Sequence, residues 1–362
     1  MAFYALQNLP ALGDAAFLQG MHEKGERRVW ASEPLTHLLL TQTIAPQTLR
    51  LFLPPFMGGL SVWMWLRLPD LIPLSHPETL LKREARDLSV RGMLITAIPL
   101  QMVFYRGYIE TMMIAVPVGL FFLHGLFRAA DRPSPRSIII VSSALGLAVL
   151  VHGVYFFWLP VLPMLLLLCH IFRIRLPGSL TAGRALSLSL ISIVIPAAMY
   201  VGGLGLIRLA GFELDWMNAS GGGDGKAFVS LVEDATNPFI AYTFGSWDHI
   251  VAVFSIPVFA APLLLPMLVM RIVKILRMPP PSLRESIQAA DVALLLLTGA
   301  FAAFITLWNF DLGFFWDFDL IFSLSIPLAL LTERLWMMRA AWAALLSVMQ
   351  TLLWMLAFSR FF

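Results

Sequence analysis

The sequence predicts an all-α, polytopic transmembrane helical bundle of about ten helices, and three observations carry that expectation. Of 362 residues, 59% are hydrophobic and only 13% charged, with a mean hydropathy of +0.80, which is too little charge to clothe a water-facing globule. Apolar stretches recur at lengths that suit membrane crossings. Positive charge gathers in alternate loops.

Taken in order, the apolar segments read at 46–66, 91–106, 110–128, 137–152, 155–172, 186–209, 249–270, 289–308, 318–332 and 340–358. The first ends at a basic loop holding Arg67, Lys82, Arg83, Arg86 and Arg91. A tight turn, "FYRGYIET" (104–111), joins the second to the third, which ends at Arg128, Arg132 and Arg136. The fourth reaches a break at His152. The fifth ends at Arg173, Arg175 and Arg184, and the sixth enters a long loop, 210–248. Arg271, Lys274, Arg277 and Arg284 follow the seventh, the turn "NFDLGFFWDFDL" (309–320) follows the eighth, and Arg334 and Arg339 follow the ninth. These alternate loops place 17 of the 25 basic residues on one face, which the positive-inside rule assigns to the cytoplasm.

Fourteen of the 22 acidic residues lie on the opposite face, although acids contribute little to orientation. The whole chain, 1–362, reads as a single membrane domain, with a first outer segment at 1–45 and a long outer loop at 210–248. Residues 1–45 contain no apolar run able to carry them across, so the expectation is a first helix upstream of "MAFYALQNLPALGD". Cys169 is the one cysteine, which excludes disulfides within the chain and cysteine-built metal sites.

The stretches able to carry chemistry lie on the outer face. "GGGDGK" (221–226) is not a phosphate loop, because Ser220 stands where the first glycine belongs and Ala227 where Ser or Thr is required. It reads as a flexible loop, and neither a nucleotide nor a nucleic acid is an expected partner. "NAS" (218–220) matches the short and common glycosylation acceptor pattern. Arg106 and Glu110 sit beside the tight outer turn. Snorkelling and helix-dipole effects explain them structurally, and a guanidinium at head-group depth holding a lipid phosphate explains them functionally.

His152, in "VLVHGVYFFWLP", is an ionisable residue at an outward helix break, either a packed histidine or a site. His37 and His249 have no partner at metal-ligand spacing, so no metal site is expected. In "WASEPLTHLLL", Ser32 reads as an N-cap, Pro34 as first-turn residue and Glu33 as part of that helix start. Asp14, in "LPALGDAAFLQG", has no comparable structural role. In "NFDLGFFWDFDL", Asp311, Asp317 and Asp319 stand among interface aromatics. Solvated helix caps are the plain explanation. The functional one is a sugar site, with carboxylates accepting bonds from hydroxyls and Trp316 stacking on the ring.

The ordered set of "LGDAAFLQG", "SEPLTHLLL", "YRGYIETMMIAVPVGLFFLHGLFRA", "LAVLVHGVYFFWLPVLPMLLLL", "SWDHIVAVFSIPVFAAPLLLPML" and "WNFDLGFFWDFDLIFSLSIPLALL" resembles the GT-C glycosyltransferases, in particular their many-helix bacterial members. The resemblance implies a bacterial inner-membrane enzyme of the cell envelope. It would move a sugar from a polyprenyl-phosphate carrier to a saccharide, lipid or protein acceptor on the outer face, with no cofactor. It also implies a general base near the start of the first outer loop, where Asp14 stands. Arg106, Glu110, His152, Asp311, Trp316, Asp317 and Asp319 would contact substrate. The family's adjacent acidic pair is missing from this loop.

Two other classes compete. A non-catalytic scaffold subunit of a larger membrane assembly needs none of these acids. A lipid or saccharide transporter would place ionisable groups near the bilayer midplane, whereas Asp291, the main acid beside an apolar run, sits at the inner end of its segment.

Overall fold

A computed structural model describes residues 20–43, 46–68, 112–174, 180–215, 229, 231, 243–260, 268–269, 272–273, 277, 287–308, 326–328 and 330–331. The expected crossings at 91–106 and 340–358, and most of 318–332, lie outside these residues.

The described part is mostly helical. A short strand β1 (Arg28–Trp30) leads into a one-turn helix α1 (Pro34–Leu38), a π-turn (Leu39–Thr43) and then α2 (Pro46–Arg67). Helices α3 (Met112–Asp131), α4 (Pro135–Val151), α5 (Val161–Ile171) and α6 (Ala182–Leu209) follow, with a 3-10 helix, Gly153–Trp158, between α4 and α5. Strand β2 (Glu213–Asp215), α7 (Trp247–Ala260) and α8 (Ala289–Leu307) complete the order.

Local chemistry sets the helix ends. At the start of α4, the Ser137 N–H donates to the Ser134 hydroxyl (3.1 Å) and the Ser134 N–H donates to the Ser137 hydroxyl (2.9 Å), with Pro135 in the first turn. Only residues 132–134 separate α3 from α4, so the two helices return antiparallel and pack on each other. Thr181 caps α6 by accepting from the Arg184 N–H at 3.4 Å. At the other end of α6, Gly211 takes φ +86°, the Phe212 N–H donates to the Ile207 carbonyl and the Gly211 N–H to that of Arg208. That pattern stops the helix and turns the chain into β2. Asp291 closes the start of α8 by accepting from the Gln288 N–H at 2.9 Å.

Among the described residues, four helical stretches are long and apolar enough to cross a membrane: Ile114–Asp131, Gly153–Ile171, Ala182–Leu209 and Ala289–Leu307. Helix α4 is equally apolar but shorter. These mark a membrane protein. Helix α6 is apolar around its circumference and leaves Leu186, Leu190, Ile193, Val201 and Leu206 exposed, the pattern of a helix bathed in hydrocarbon.

The helices approach closely where side chains are small. A Cβ added at Gly146 of α4 would lie 2.8 Å from the Met199 sulfur and 3.1 Å from Cα of Pro196, both on α6. One at Gly203 would lie 2.7 Å from Leu150. Such contact lets two helices trade side-chain bulk for backbone packing. The aromatic core lies between α3, the 3-10 helix and α8. Phe122 stacks on Trp158 at 5.3 Å, Phe157 meets Phe304 edge-on at 5.3 Å, and the Tyr155 hydroxyl donates to the Ala115 carbonyl at 2.7 Å.

Candidate functional site

The C-terminal ends of α4 and α6 and the start of the 3-10 helix share one end of the bundle, and the first segment folds over that end. Strand β1 pairs in parallel with β2, matching Arg28 to Glu213, Val29 to Leu214 and Trp30 to Asp215. The Ala31 N–H donates to the Asp215 carbonyl at 2.9 Å, and the Tyr200 hydroxyl of α6 donates to the Ala31 carbonyl at 2.9 Å. Three separated stretches, 28–37, 151–154 and 213–215, thus form one site. The charge-derived topology also places them on a common face. The basic residues Arg132, Arg136 and Arg184 lie around the opposite end.

The seam between the first segment and the α4 break is close and in register. The Thr36 hydroxyl donates to the Val151 carbonyl at 2.8 Å, which occupies an acceptor that the end of α4 leaves open. A Cβ on Gly153 would sit 3.0 Å from the Ser32 carbonyl oxygen, so a side chain there would push the first segment away. Between these contacts Glu33 meets His152. The His152 Nε2 is 3.7 Å from the Glu33 Oε2, and both side chains are more than nine-tenths buried. That separation is longer than a hydrogen bond, and burial holds the imidazole neutral, so the two groups are neighbours rather than an ion pair.

The His152 ring is held by its backbone. His152 ends α4 and caps the following 3-10 helix, and its Nδ1 accepts from the Val154 N–H at 3.2 Å. With Nδ1 used as an acceptor, the neutral ring carries its proton on Nε2, the atom that faces Glu33. Glu33 occupies the N-cap position of α1 with φ −148°, but its side chain makes no capping bond. This corrects the sequence expectation by one residue. Pro34 does open the helix, but the cap position belongs to Glu33 rather than Ser32, and the Glu33 carboxylate turns towards His152.

One turn along α1, His37 is fully buried, its ring 4.8 Å from that of Trp30. Neither ring nitrogen has a hydrogen-bond partner among the described residues. Burial lowers its pKa to about 4, against the opposing charge of Asp215, so the ring is neutral at physiological pH. Asp215, with its side chain 9% exposed, also meets the Arg28 guanidinium at 3.8 Å. The Arg27 guanidinium lies 5.9 Å from the centre of the Phe212 ring. The site thus collects two carboxylates, two imidazoles, an indole and two guanidiniums where the chain emerges from the helices.

Of the residues singled out from sequence, His152 lies in this site. Asp14, Arg106, Glu110, Asp311, Trp316, Asp317 and Asp319 lie outside the described residues. Sequence reasoning missed the pairing of Glu33 with His152 and the burial of His37. An ionisable residue at a helix break was the signal for the first, and a histidine one turn after "SEP" was the only trace of the second. Set against protein-family models, curated proteins and solved structures, the chain matches none.

Proposed function

We propose that the chain is a multi-pass glycosyltransferase of the bacterial inner membrane, a GT-C-like bundle of about ten helices. It moves a sugar from a polyprenyl-phosphate carrier to a saccharide, lipid or protein acceptor on the outer face. The observation that carries the reading is the meeting of Glu33 and His152, both buried, where three separated stretches close one end of an apolar bundle. Burying an ionisable pair costs several kcal/mol unless geometry repays it, so its presence marks a place where a carboxylate is useful. The sequence resemblance supplies the reaction class. The topology supplies the donor chemistry, because a sugar donor on the outer face must come attached to lipid.

In this reaction the acceptor hydroxyl attacks the anomeric carbon from the side opposite the phosphate and inverts its configuration. A carboxylate of the first outer segment takes the hydroxyl proton, a role the resemblance gives to Asp14. Arg106 holds the departing lipid phosphate and Glu110 orients it. Asp311, Trp316, Asp317 and Asp319 bind sugar hydroxyls and the ring face. No cofactor or metal takes part.

The test uses membranes enriched in the chain and a radiolabelled sugar on polyprenyl phosphate. The expected result is label moving to an acceptor fraction with release of polyprenyl phosphate. A donor pool consumed no faster than in control membranes overturns the reading.

A further inference from the structure

We propose that the basic end of the bundle, opposite the end that carries Glu33 and His152, is a binding surface for anionic phospholipid of the leaflet it faces. Arg128 lies in the last turn of α3, Arg132 in the α3–α4 turn, Arg136 and Arg184 in the first turns of α4 and α6, and Arg173 just after α5. All five are exposed. The carboxylates at this end, among the described residues, are Asp131 and Asp291, so the five guanidiniums leave a surplus of three positive charges. The proposal is independent of the transferase reading.

Three of these arginines stand against local preference. A helix start favours carboxylates, yet the first turns of α4 and α6 hold no acid and one arginine each. Helix α8 begins at the same end and shows the ordinary arrangement, with Asp291 accepting from the Gln288 N–H. After α5, the Ile174 N–H donates to the Cys169 carbonyl at 2.9 Å and the Arg173 N–H to that of His170 at 3.2 Å, which sets Arg173 at φ +50°. Arg173 meets the helix dipole's preference for a cation but not the backbone's preference for glycine. Orientation in the membrane asks for positive charge in these loops, not for its placement inside first turns. The gain that keeps it there lies outside the chain.

The surroundings select lipid over a soluble anion. Ile139 and Ile140 follow Arg136 by one turn, Leu186 stands two residues past Arg184, and Ile171 and Phe172 precede Arg173, all between 45% and 65% exposed. Such side chains settle among acyl chains while a guanidinium one turn away reaches a head-group phosphate. Arg136 and Arg184 also come to a similar depth. Helices α4 and α6 run parallel, with Gly146 beside Pro196 and Met199, and Leu150 beside Gly203. At about 1.5 Å per residue, the two arginine positions lie within about 8 Å of each other along the bundle. A zwitterionic head group brings its own cation, so the surplus of positive charge favours a head group with net negative charge.

The experiment titrates the full-length chain in neutral detergent with phosphatidylglycerol, phosphatidylcholine or glycerol 3-phosphate. Native mass spectrometry counts bound molecules, and the unfolding midpoint is read in parallel. Phosphatidylglycerol is expected to bind and raise the midpoint, phosphatidylcholine to bind about tenfold more weakly or less, and glycerol 3-phosphate to do neither. The double variant Arg136→Gln, Arg184→Gln is expected to weaken phosphatidylglycerol binding about 10- to 30-fold. Arg208→Gln, at the opposite end of α6, is the control, with a change of less than about twofold expected. Should the double variant fail to insert, wild type reads the same charges through salt, with binding about tenfold weaker at about 0.5 M than at about 0.05 M. Equal binding of the two lipids, equal binding by wild type and the double variant, or binding indifferent to salt overturns the proposal. Glycerol 3-phosphate bound as tightly as phosphatidylglycerol makes this a soluble-anion site and overturns the lipid assignment. An equal loss in Arg208→Gln overturns the location.

Discussion

The Thr36 hydroxyl donates to the Val151 carbonyl across 2.8 Å, and this buried bond fastens the first segment to the end of α4. It sits beside the close approach of Gly153 to the Ser32 carbonyl. Thr36→Val removes the donor and leaves a buried carbonyl short of one partner, for a cost of about 1–2 kcal/mol. Gly153→Ala puts a methyl group against a backbone oxygen and is expected to cost about as much. Thermal unfolding in detergent reads both, and limited proteolysis should show faster cleavage in 20–43 before the helices melt.

Stability is expected to depend on pH through His37. Its folded pKa, about 4, lies below the ordinary 6.5, so the unfolded chain binds a proton more readily over that interval. The stabilisation from the neutral ring is therefore complete above about pH 6.5 and is lost as pH falls towards 4, by up to about 3 kcal/mol. His37→Phe keeps the contact with Trp30 and removes the titrating group. Its unfolding midpoint should be flatter than that of wild type between those pH values, and an unchanged slope would remove His37 from the explanation.

Helix packing gives a sharper expectation. Gly119 of α3 lies directly beneath the Tyr155 ring, where a Cβ would overlap the phenol. Gly119→Ala is expected to displace Tyr155, break its bond to Ala115 and lower stability by about 1–3 kcal/mol. Tyr155→Phe should cost about 1 kcal/mol, and the double variant should cost less than the sum, because both remove the same bond.

The remaining site residues yield expectations from sequence alone. Arg106→Ala should weaken use of the lipid-linked donor and Arg106→Lys restore only part of it, because lysine lacks the planar fork. Asp317→Asn and Trp316→Ala should each reduce transfer without reducing the amount of inserted protein. An asparagine caps a helix as well as an aspartate does, so full activity in Asp317→Asn would return that stretch to a helix connection.

Helices were legible in the sequence where a long apolar run is bounded by charge or turn chemistry. The expected segment 110–128 is the helix Met112–Asp131, and 289–308 is Ala289–Leu307. The segment 155–172 departs from a single helix, since Gly153–Trp158 winds as a 3-10 helix ahead of Val161–Ile171. Pro160 lacks an N–H and stands where the two meet. The segment 186–209 begins earlier, at Ala182, because Thr181 supplies the cap. The pairing of Glu33 with His152 was not legible, because no periodicity relates residues so far apart along the chain. The sequence "SEP" fits a helix start whichever way the Glu33 side chain turns.

The central claim is that the end of the bundle carrying Glu33 and His152 faces outward. Lys24, its side chain 73% exposed, marks that end, and Arg132, 86% exposed, marks the other. Cys169 is buried and forms no background. Lys24→Cys and Arg132→Cys are each treated in spheroplasts with a membrane-impermeant maleimide. Labelling at position 24 in sealed spheroplasts, with labelling at position 132 only after permeabilisation, is the predicted result. The reverse pattern, or equal labelling of both before permeabilisation, would contradict it.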